Sequence, residues 1–180
     1  MNIDKSNRIV IGFLALLICF CSFDLTAQTR IAVLDFELKD LTLKPGIPAE
    51  IARTASIKPM LENELSKSGY QIVAIPLDAQ RQATAGTGYL FDHHDVAAQL
   101  AQKYGADYII VGRLHKPSFL FVYLMVHLIQ VNTSTLTKDF LTEIKGGEKK
   151  LTLKGVEDLA AKVIDTLNPT VINHKQPPSL

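Results

Sequence analysis

Residues 119–131 read FLFVYLMVHLIQV. Outside the N-terminus no stretch of the chain is as apolar. The fold turns on whether it crosses a membrane, lines a ligand pocket or fills a core. Its 13 residues are too few for a spanning helix, which needs about 20. Phe, Val, Tyr and Ile favour strands. Lys116-Pro117-Ser118 signals a turn before the run, and Asn132 to Thr135 a turn after it. As a strand, the run puts Leu120, Val122, Leu124, Val126 and Leu128 on one side. Phe119, Phe121, Tyr123, Met125, His127 and Ile129 fall on the other. A strand apolar on both sides belongs in mid-sheet with both sides covered. The next stretch, LTKDFLTEIK, alternates as a half-buried partner strand should, with Leu136, Phe140 and Ile144 inward and Asp139, Glu143 and Lys145 outward. A core hairpin is therefore expected.

Working back from the hairpin, YIIVGRLH (Tyr108 to His115) reads as a strand. Before it, FDHHDVAAQLAQKYGAD reads as a helix with Asp92 as its N-cap. Val96, Ala97, Leu100, Ala101 and Tyr104 form one face, and Gly105 closes it. RIAVLDFEL (Arg30 to Leu38) reads as one strand and YQIVAI (Tyr70 to Ile75) as another. Between them, Ala49 to Ser68 reads as a helix with Ile51, Ala55, Leu61 and Leu65 inward. Pro59 is expected to kink or restart that helix, because it lacks the backbone donor. Pro76 to Leu90 reads as a polar connector with room for one short helix. Beyond Gly146-Gly147, Val156, Leu159, Ala160, Val163 and Leu167 form a final helical stripe stopped by Asn168-Pro169. The expectation is a single α/β domain over residues 28–168, a mixed sheet of about five strands with helices packed on it, in the order βαβαβββα. Residues 169–180 are expected to form a disordered tail.

The first 27 residues have a positive start (Lys5, Arg8), an apolar run from Ile9 to Phe23 and a polar end at Thr26-Ala27. This is the layout of a signal peptide. Neither Cys19, preceded by Ile18, nor Cys21, preceded by Phe20, has the small neighbour that a lipoprotein site requires. The expected location is periplasmic or secreted after cleavage, with no membrane span left; the alternative is an uncleaved anchor in the inner membrane. Cleavage removes both cysteines, and with them disulfides, cysteine nucleophiles and thiolate metal sites. The formal net charge of +1 provides no broad field for nucleic acid.

Few residues invite chemistry. Asp92-His93-His94-Asp95 groups two imidazoles and two carboxylates, so His93 and His94, with His115 or His127 brought near, are the metal candidates. Adjacent helical residues, however, point about 100° apart. His127 among Tyr123, Met125 and Ile129 reads as a core histidine. Asp35 interrupts an apolar strand, where a buried carboxylate would have base character, although a strand-end role is the simpler reading. Gly86-Thr87-Gly88 lacks the Lys-Ser/Thr of a phosphate loop, and no serine has a nucleophile context. IKGGEKKLTLK gathers Lys145, Lys149, Lys150 and Lys154. Lys149, Lys150 and Lys154 are the candidates for an interaction with a lipid headgroup or an acidic partner. Asn132-Thr133-Ser134 reads as the hairpin turn.

RIAVLDFEL resembles the opening strand of the TolB N-terminal domain and of CsgG- and LpoB-type periplasmic proteins. AAQLAQKYGADYIIVGRL, followed by a long hairpin, is similar to their segment of helix, Gly-Ala-Asp, strand and glycine. The order of elements resembles that of small secreted bacterial proteins of unknown function, from about Arg30 to Leu167. The resemblance implies a compact α/β domain that meets envelope partners, with no reaction, no cofactor and no catalytic residue to carry over. The missing lipidation site departs from the CsgG and LpoB pattern. Together these readings point to a non-catalytic accessory or protein-interaction module of the cell envelope. Docking is expected at a sheet edge, at the Pro76–Leu90 connector or at the Lys145–Lys154 loop. The alternative is a small-ligand or metal-binding periplasmic protein.

Overall fold

The computed structural model describes residues 28–145 and 149–168, without the side chains of Lys145, Lys149 and Leu151. The segments read as a signal peptide and as a tail lie outside the described residues. The strands are β1 (Arg30–Val33), β2 (Glu37–Asp40), β3 (Gln71–Val73), β4 (Tyr108–Lys116), β5 (Phe121–Gln130) and β6 (Thr135–Lys145). The helices are α1 (Pro48–Lys67), α2 (Leu77–Ala83), α3 (Tyr89–Asp92), α4 (His94–Lys103) and α5 (Lys149–Leu167). The sheet runs β3-β1-β4-β5-β6, with β2 also pairing with β4. β1, β2 and β3 are parallel to their partners, whereas β4–β5 and β5–β6 are antiparallel. The expected mixed α/β sheet is therefore present.

RIAVLDFEL is one line of chain broken in the middle. Val33 pairs with Ile110 and Glu37 with Arg113, so four steps on this line match three on β4. The extra residue makes a bulge and reverses which side each residue faces. Ile31 and Val33 enter one core cluster, and beyond the bulge Phe36 enters the same cluster. The bulge throws Asp35 outward, where it lies 3.5 Å from Lys58. Its backbone N–H donates to Gln80 Oε1 at 3.0 Å, and Gln80 Nε2 donates to the Ile75 carbonyl at 2.9 Å. Asp35 is thus an exposed bulge residue and not a buried base.

Helix α1 runs continuously for 20 residues, with Pro48 in its first turn and Pro59 inside it. The expected restart at Pro59 does not occur. Its inward face also differs from the expected one. Ile51 and Ala55 are exposed, and Glu50, Arg53, Thr54, Ile57, Leu61 and Leu65 are buried. Polar residues supply the first two turns of the buried stripe because a charge network sits beneath them: Lys116 Nζ lies 2.8 Å from Glu50 Oε1, Arg53 Nη1 lies 3.5 Å from Glu50 Oε2, and Arg53 Nε donates to Thr152 Oγ1 at 2.8 Å. Pro76 to Leu90 carries more helix than the one short segment allowed for it. It forms α2 and opens α3, with Gln80 and Leu90 buried.

The sheet has two unequal faces. α1 and α5 cover the first, packing Ile57, Leu61, Val156 and Leu159 over Ile110, Leu114, Leu124 and Val126. α3 and α4 cover only part of the second, where Leu90, Phe91, Ala97 and Leu100 meet Ala32, Leu34, Ile109, Val111 and Ile129. Each large buried side chain contributes about 1.5–3 kcal/mol. The expectation that β5 is covered on both sides holds only in part. Its first-face residues Val122, Leu124, Val126 and Leu128 are buried, but on the second face Tyr123 and Met125 are half-buried and Phe121 is exposed. Helices α3 and α4 are too short to reach that end. A second irregularity, between Leu128 and Ile129, pairs Ile129 with Leu136 and Leu128 with Lys138. The residue between them is unmatched, so Leu136 does not share the inward side of Phe140 and Ile144, and it is 40% exposed.

Candidate functional site

The Asp92-His93-His94-Asp95 cluster is split by a break between helices. Asp92 ends α3, and His93, with φ −118° and ψ 83°, serves both as its C-cap and as the N-cap of α4. Asp92 therefore does not cap the long helix as expected. His93 turns back, stacking on Tyr89 with ring centroids 4.0 Å apart and placing Nδ1 2.9 Å from the Tyr89 carbonyl. His94 turns to the sheet, where its Nε2 lies 2.9 Å from Nδ1 of His127. His127 Nδ1 is also 3.1 Å from the Phe91 carbonyl, and its ring stacks on Phe91 at 3.9 Å. A carbonyl only accepts, so His127 Nδ1 carries the proton and His94 Nε2 faces it unprotonated. His115 lies further along β4, beside Tyr123 of β5. The three metal candidates do not converge, and among the described residues no group of three or more His, Cys, Asp or Glu could hold an ion. The pairing of His94 with His127 was not legible from sequence, because it depends on where α4 crosses β5.

Burial pushes the His127 imidazole below its ordinary 6.5, and the neighbouring His94 acts in the same direction; the Phe91 carbonyl, Asp139 and Asp92 oppose it. His115 is lowered too, first by burial and then by Lys39 and Arg113. Both are neutral in the folded protein at pH 7. Below about pH 6.5 the unfolded chain takes up protons that the folded chain refuses. Their contribution to stability is full above that pH and is lost as the pH falls through the lowered folded values. Thermal unfolding recorded from pH 7.5 to 5 is expected to show a falling midpoint. His127→Gln should fall less over that interval, and an identical pH slope in the variant would refute the assignment.

The uncovered part of the second face is built by residues that share one side of four strands. Glu37 and Lys39 of β2 neighbour Arg113 and His115 of β4; these neighbour Met125 and Tyr123 of β5, and those neighbour Leu141 and Glu143 of β6. Arg113 lies where this area meets the helix-covered part. Its guanidinium sits 4.3 Å from the centre of the Phe91 ring and 3.7 Å from Glu37 Oε2. Gly88, at φ +84°, passes over it so closely that a side chain there would strike Arg113 Nη2 at 2.6 Å. The hydrogen bonding of this row is incomplete: Glu37 Oε2, Arg113 Nε and His115 Nδ1 are buried without a hydrogen-bond partner. Leu141 is 59% exposed on the same face. The hollow beside the Asp35 bulge, lined by Leu34, Phe36, Gln80, Leu90 and Val111, holds about 180 Å³, less than the roughly 300 Å³ at which ligand pockets begin. Of the lysine candidates, Lys150 and Lys154 are exposed on the opening turns of α5, and the side chain of Lys149 is outside the described residues.

The Gly-Ala-Asp segment has a definite role. Gly105 adopts φ +75° after α4. Asp107 then accepts from the Arg30 backbone N–H at 2.8 Å and from Arg30 Nη2 at 2.8 Å, fastening β4 to the start of β1.

This fold, a six-stranded mixed sheet with helices on both faces, is shared with proteins of distant sequence. The PelC dodecamer of Paraburkholderia phytofirmans is similar at 17% identity over 78% of this chain and 87% of its own, with a TM-score of 0.50. The hypothetical protein CT253 of Chlamydia trachomatis is similar at 8% identity over 80% of this chain and all of its own, with a TM-score of 0.51. The NMR structure of Escherichia coli LpoB matches at 17% identity over 66% of this chain and 58% of its own, with a TM-score of 0.48. The chain itself belongs to the family DUF3280, described as "Protein of unknown function (DUF2380)", whose pattern matches residues 29–164. No curated protein matches the sequence. Among the described residues no helix is long and apolar enough to cross a membrane.

Proposed function

We propose that this chain is a non-catalytic accessory module of the bacterial cell envelope that docks a protein partner against the uncovered part of its second sheet face. The observation that carries this reading is the half-bare central strand. Tyr123, Met125 and Leu141 form an apolar band on a sheet face that helices cover elsewhere, flanked by Glu143 and by Arg113 and His115 with unmet hydrogen bonds. A partner that covers the band removes apolar surface from water and offers polar groups to the row beside it. The layout of the first 27 residues supports a periplasmic setting. The non-catalytic reading is supported by the roles the reactive side chains already fill: Asp35 lies beside Lys58, and His94 and His127 engage each other.

A photo-crosslinking residue placed at Leu141 tests the proposal in intact envelopes. A discrete adduct is expected there and not at Lys103, on the opposite side of α4 from the sheet. Absence of any adduct specific to position 141 would overturn it. PelC is a dodecamer in its structure, so an adduct of twice the chain mass would identify the partner as another copy. The metal-binding alternative is tested by elemental analysis of the purified protein.

A further inference from the structure

The apolar side chains this fold leaves in water are concentrated at one end. Leu41, Leu43 and Ile47 follow β2, and Phe119, Leu120 and Phe121 lie at the turn from β4 to β5. Leu43 is 93% exposed, Leu120 74% and Phe119 67%. The two loops adjoin. Asp40 pairs with Lys116 across β2 and β4, the Leu41 N–H donates to the Lys116 carbonyl at 2.9 Å, and Lys116 Nζ lies 5.7 Å from the centre of the Phe119 ring. Ile51, 55% exposed, stands on the first turn of α1 beside them. Nothing among the described residues covers this crown, and contiguous exposed apolar surface of this kind marks a contact.

The charges around it identify what it contacts. Lys39 and Lys44 are exposed on the first loop and its strand. Lys150 and Lys154 are exposed on the opening turns of α5, which is tied to α1 by the Arg53–Thr152 bond. Lys145 lies opposite Phe121 in the β5–β6 register. The nearby acids are largely engaged: Glu50 is buried against Lys116, and Asp40 accepts from the Thr42 N–H, the Thr42 hydroxyl and the Gly46 N–H. Since the whole chain carries only +1, the cationic rim is a local asymmetry. Apolar prongs on adjoining loops with lysines around them fit an anionic lipid surface, where the prongs enter the interface and the ammonium groups meet headgroups.

We infer that the Leu43–Phe119–Leu120 crown is a contact for an anionic lipid surface, with Lys44, Lys150 and Lys154 as its headgroup-facing cations. It adjoins the sheet face proposed for a protein partner at Phe121, but it rests on different side chains and is tested independently of it. The chain contains no tryptophan, so Phe119→Trp installs a sole tryptophan reporter at the crown, and Tyr104→Trp installs one at the opposite end of the sheet. With vesicles of phosphatidylcholine and phosphatidylglycerol, the tryptophan at 119 is expected to shift to the blue and to be quenched by brominated acyl chains. With phosphatidylcholine alone it should not move, and the reporter at 104 should move with neither. Adding Leu43→Asp and Leu120→Asp, both at exposed positions, should weaken the lipid-dependent shift about tenfold or more. Because the signal comes from the crown, an apolar N-terminal segment in the same chain cannot imitate it. An unmoved reporter at 119 would overturn the inference and assign the crown to a protein. An equal response to neutral vesicles, or an equal response at both positions, would overturn it as well.

Discussion

Glu50→Ala is expected to destabilise the fold by about 3–5 kcal/mol, the range for breaking a buried charge pair from one side, measured as a lowered midpoint in urea or thermal unfolding. Glu50 contacts both Lys116 and Arg53, and all three side chains are at most one-tenth exposed. Removing it takes from both buried cations the carboxylate they share. Arg53 keeps Thr152, but Lys116 loses the carboxylate that its ammonium touches. Lys116→Met should cost less, because Glu50 still has Arg53 and the methionine keeps the apolar stem packed. The double variant Glu50→Met/Lys116→Met should recover much of the loss, since swapping a buried pair for apolar groups is often close to neutral. Equal costs for the two single variants would show that the network is not centred on the carboxylate. The same network holds Lys116 beneath the exposed crown, so the Glu50 variants should also loosen the β4–β5 turn.

Much of the sheet was legible because strand alternation and turn residues are local signals. The β4–β5–β6 meander, the final helix and the positive-φ Gly105 that closes α4 all follow from such signals. The features that were not legible are register events. Asp35 lies at a strand end, as its simpler reading had it, but nothing in RIAVLDFEL announces that the strand breaks there to admit an extra residue relative to β4. Leu136 looked inward because the irregularity opposite Leu128 is a property of the pair of strands, not of either one. Helix α1 misled for another reason. Its first buried turns carry Glu50, Arg53 and Thr54, and a search for apolar periodicity passes over a charged face whose partners lie 66 and 99 residues away.

The candidate site was harder still. His93, His94 and His115 stood out by residue type, but the direction of each ring is set by the break between α3 and α4 and by the crossing of α4 over β5. The open face was concealed by composition. FLFVYLMVHLIQV is apolar on both sides, and sequence does not reveal that the covering helices end before Tyr123 and Phe121. The lysines after Gly147 were visible, but the bond that ties the start of α5 to α1 was not, because Arg53 and Thr152 are 99 residues apart.

Gly112→Ala should produce the second large loss, about 1–3 kcal/mol as for an overfilled core, with Gly112→Val costing more. Gly112 lies in the middle of β4, where an isolated glycine in a strand marks a close approach by another group. Here the group is the Phe36 ring. A methyl built on Gly112 would strike three carbons of that ring well inside contact distance. Phe36 cannot withdraw easily, since it is 8% exposed, packed in the first core cluster and placed by the bulge at Asp35. The backbone of β4 cannot withdraw either, because it is paired with β2 on one side and β5 on the other. The strain is specific to one ring, so shortening that ring should relieve it. Phe36→Leu alone is expected to lose a little stability through lost packing, whereas in the Gly112→Ala background it should restore part of what was lost. A double-mutant cycle on unfolding midpoints measures this coupling. Strictly additive costs would show that the glycine is needed for some reason other than the ring that crosses it.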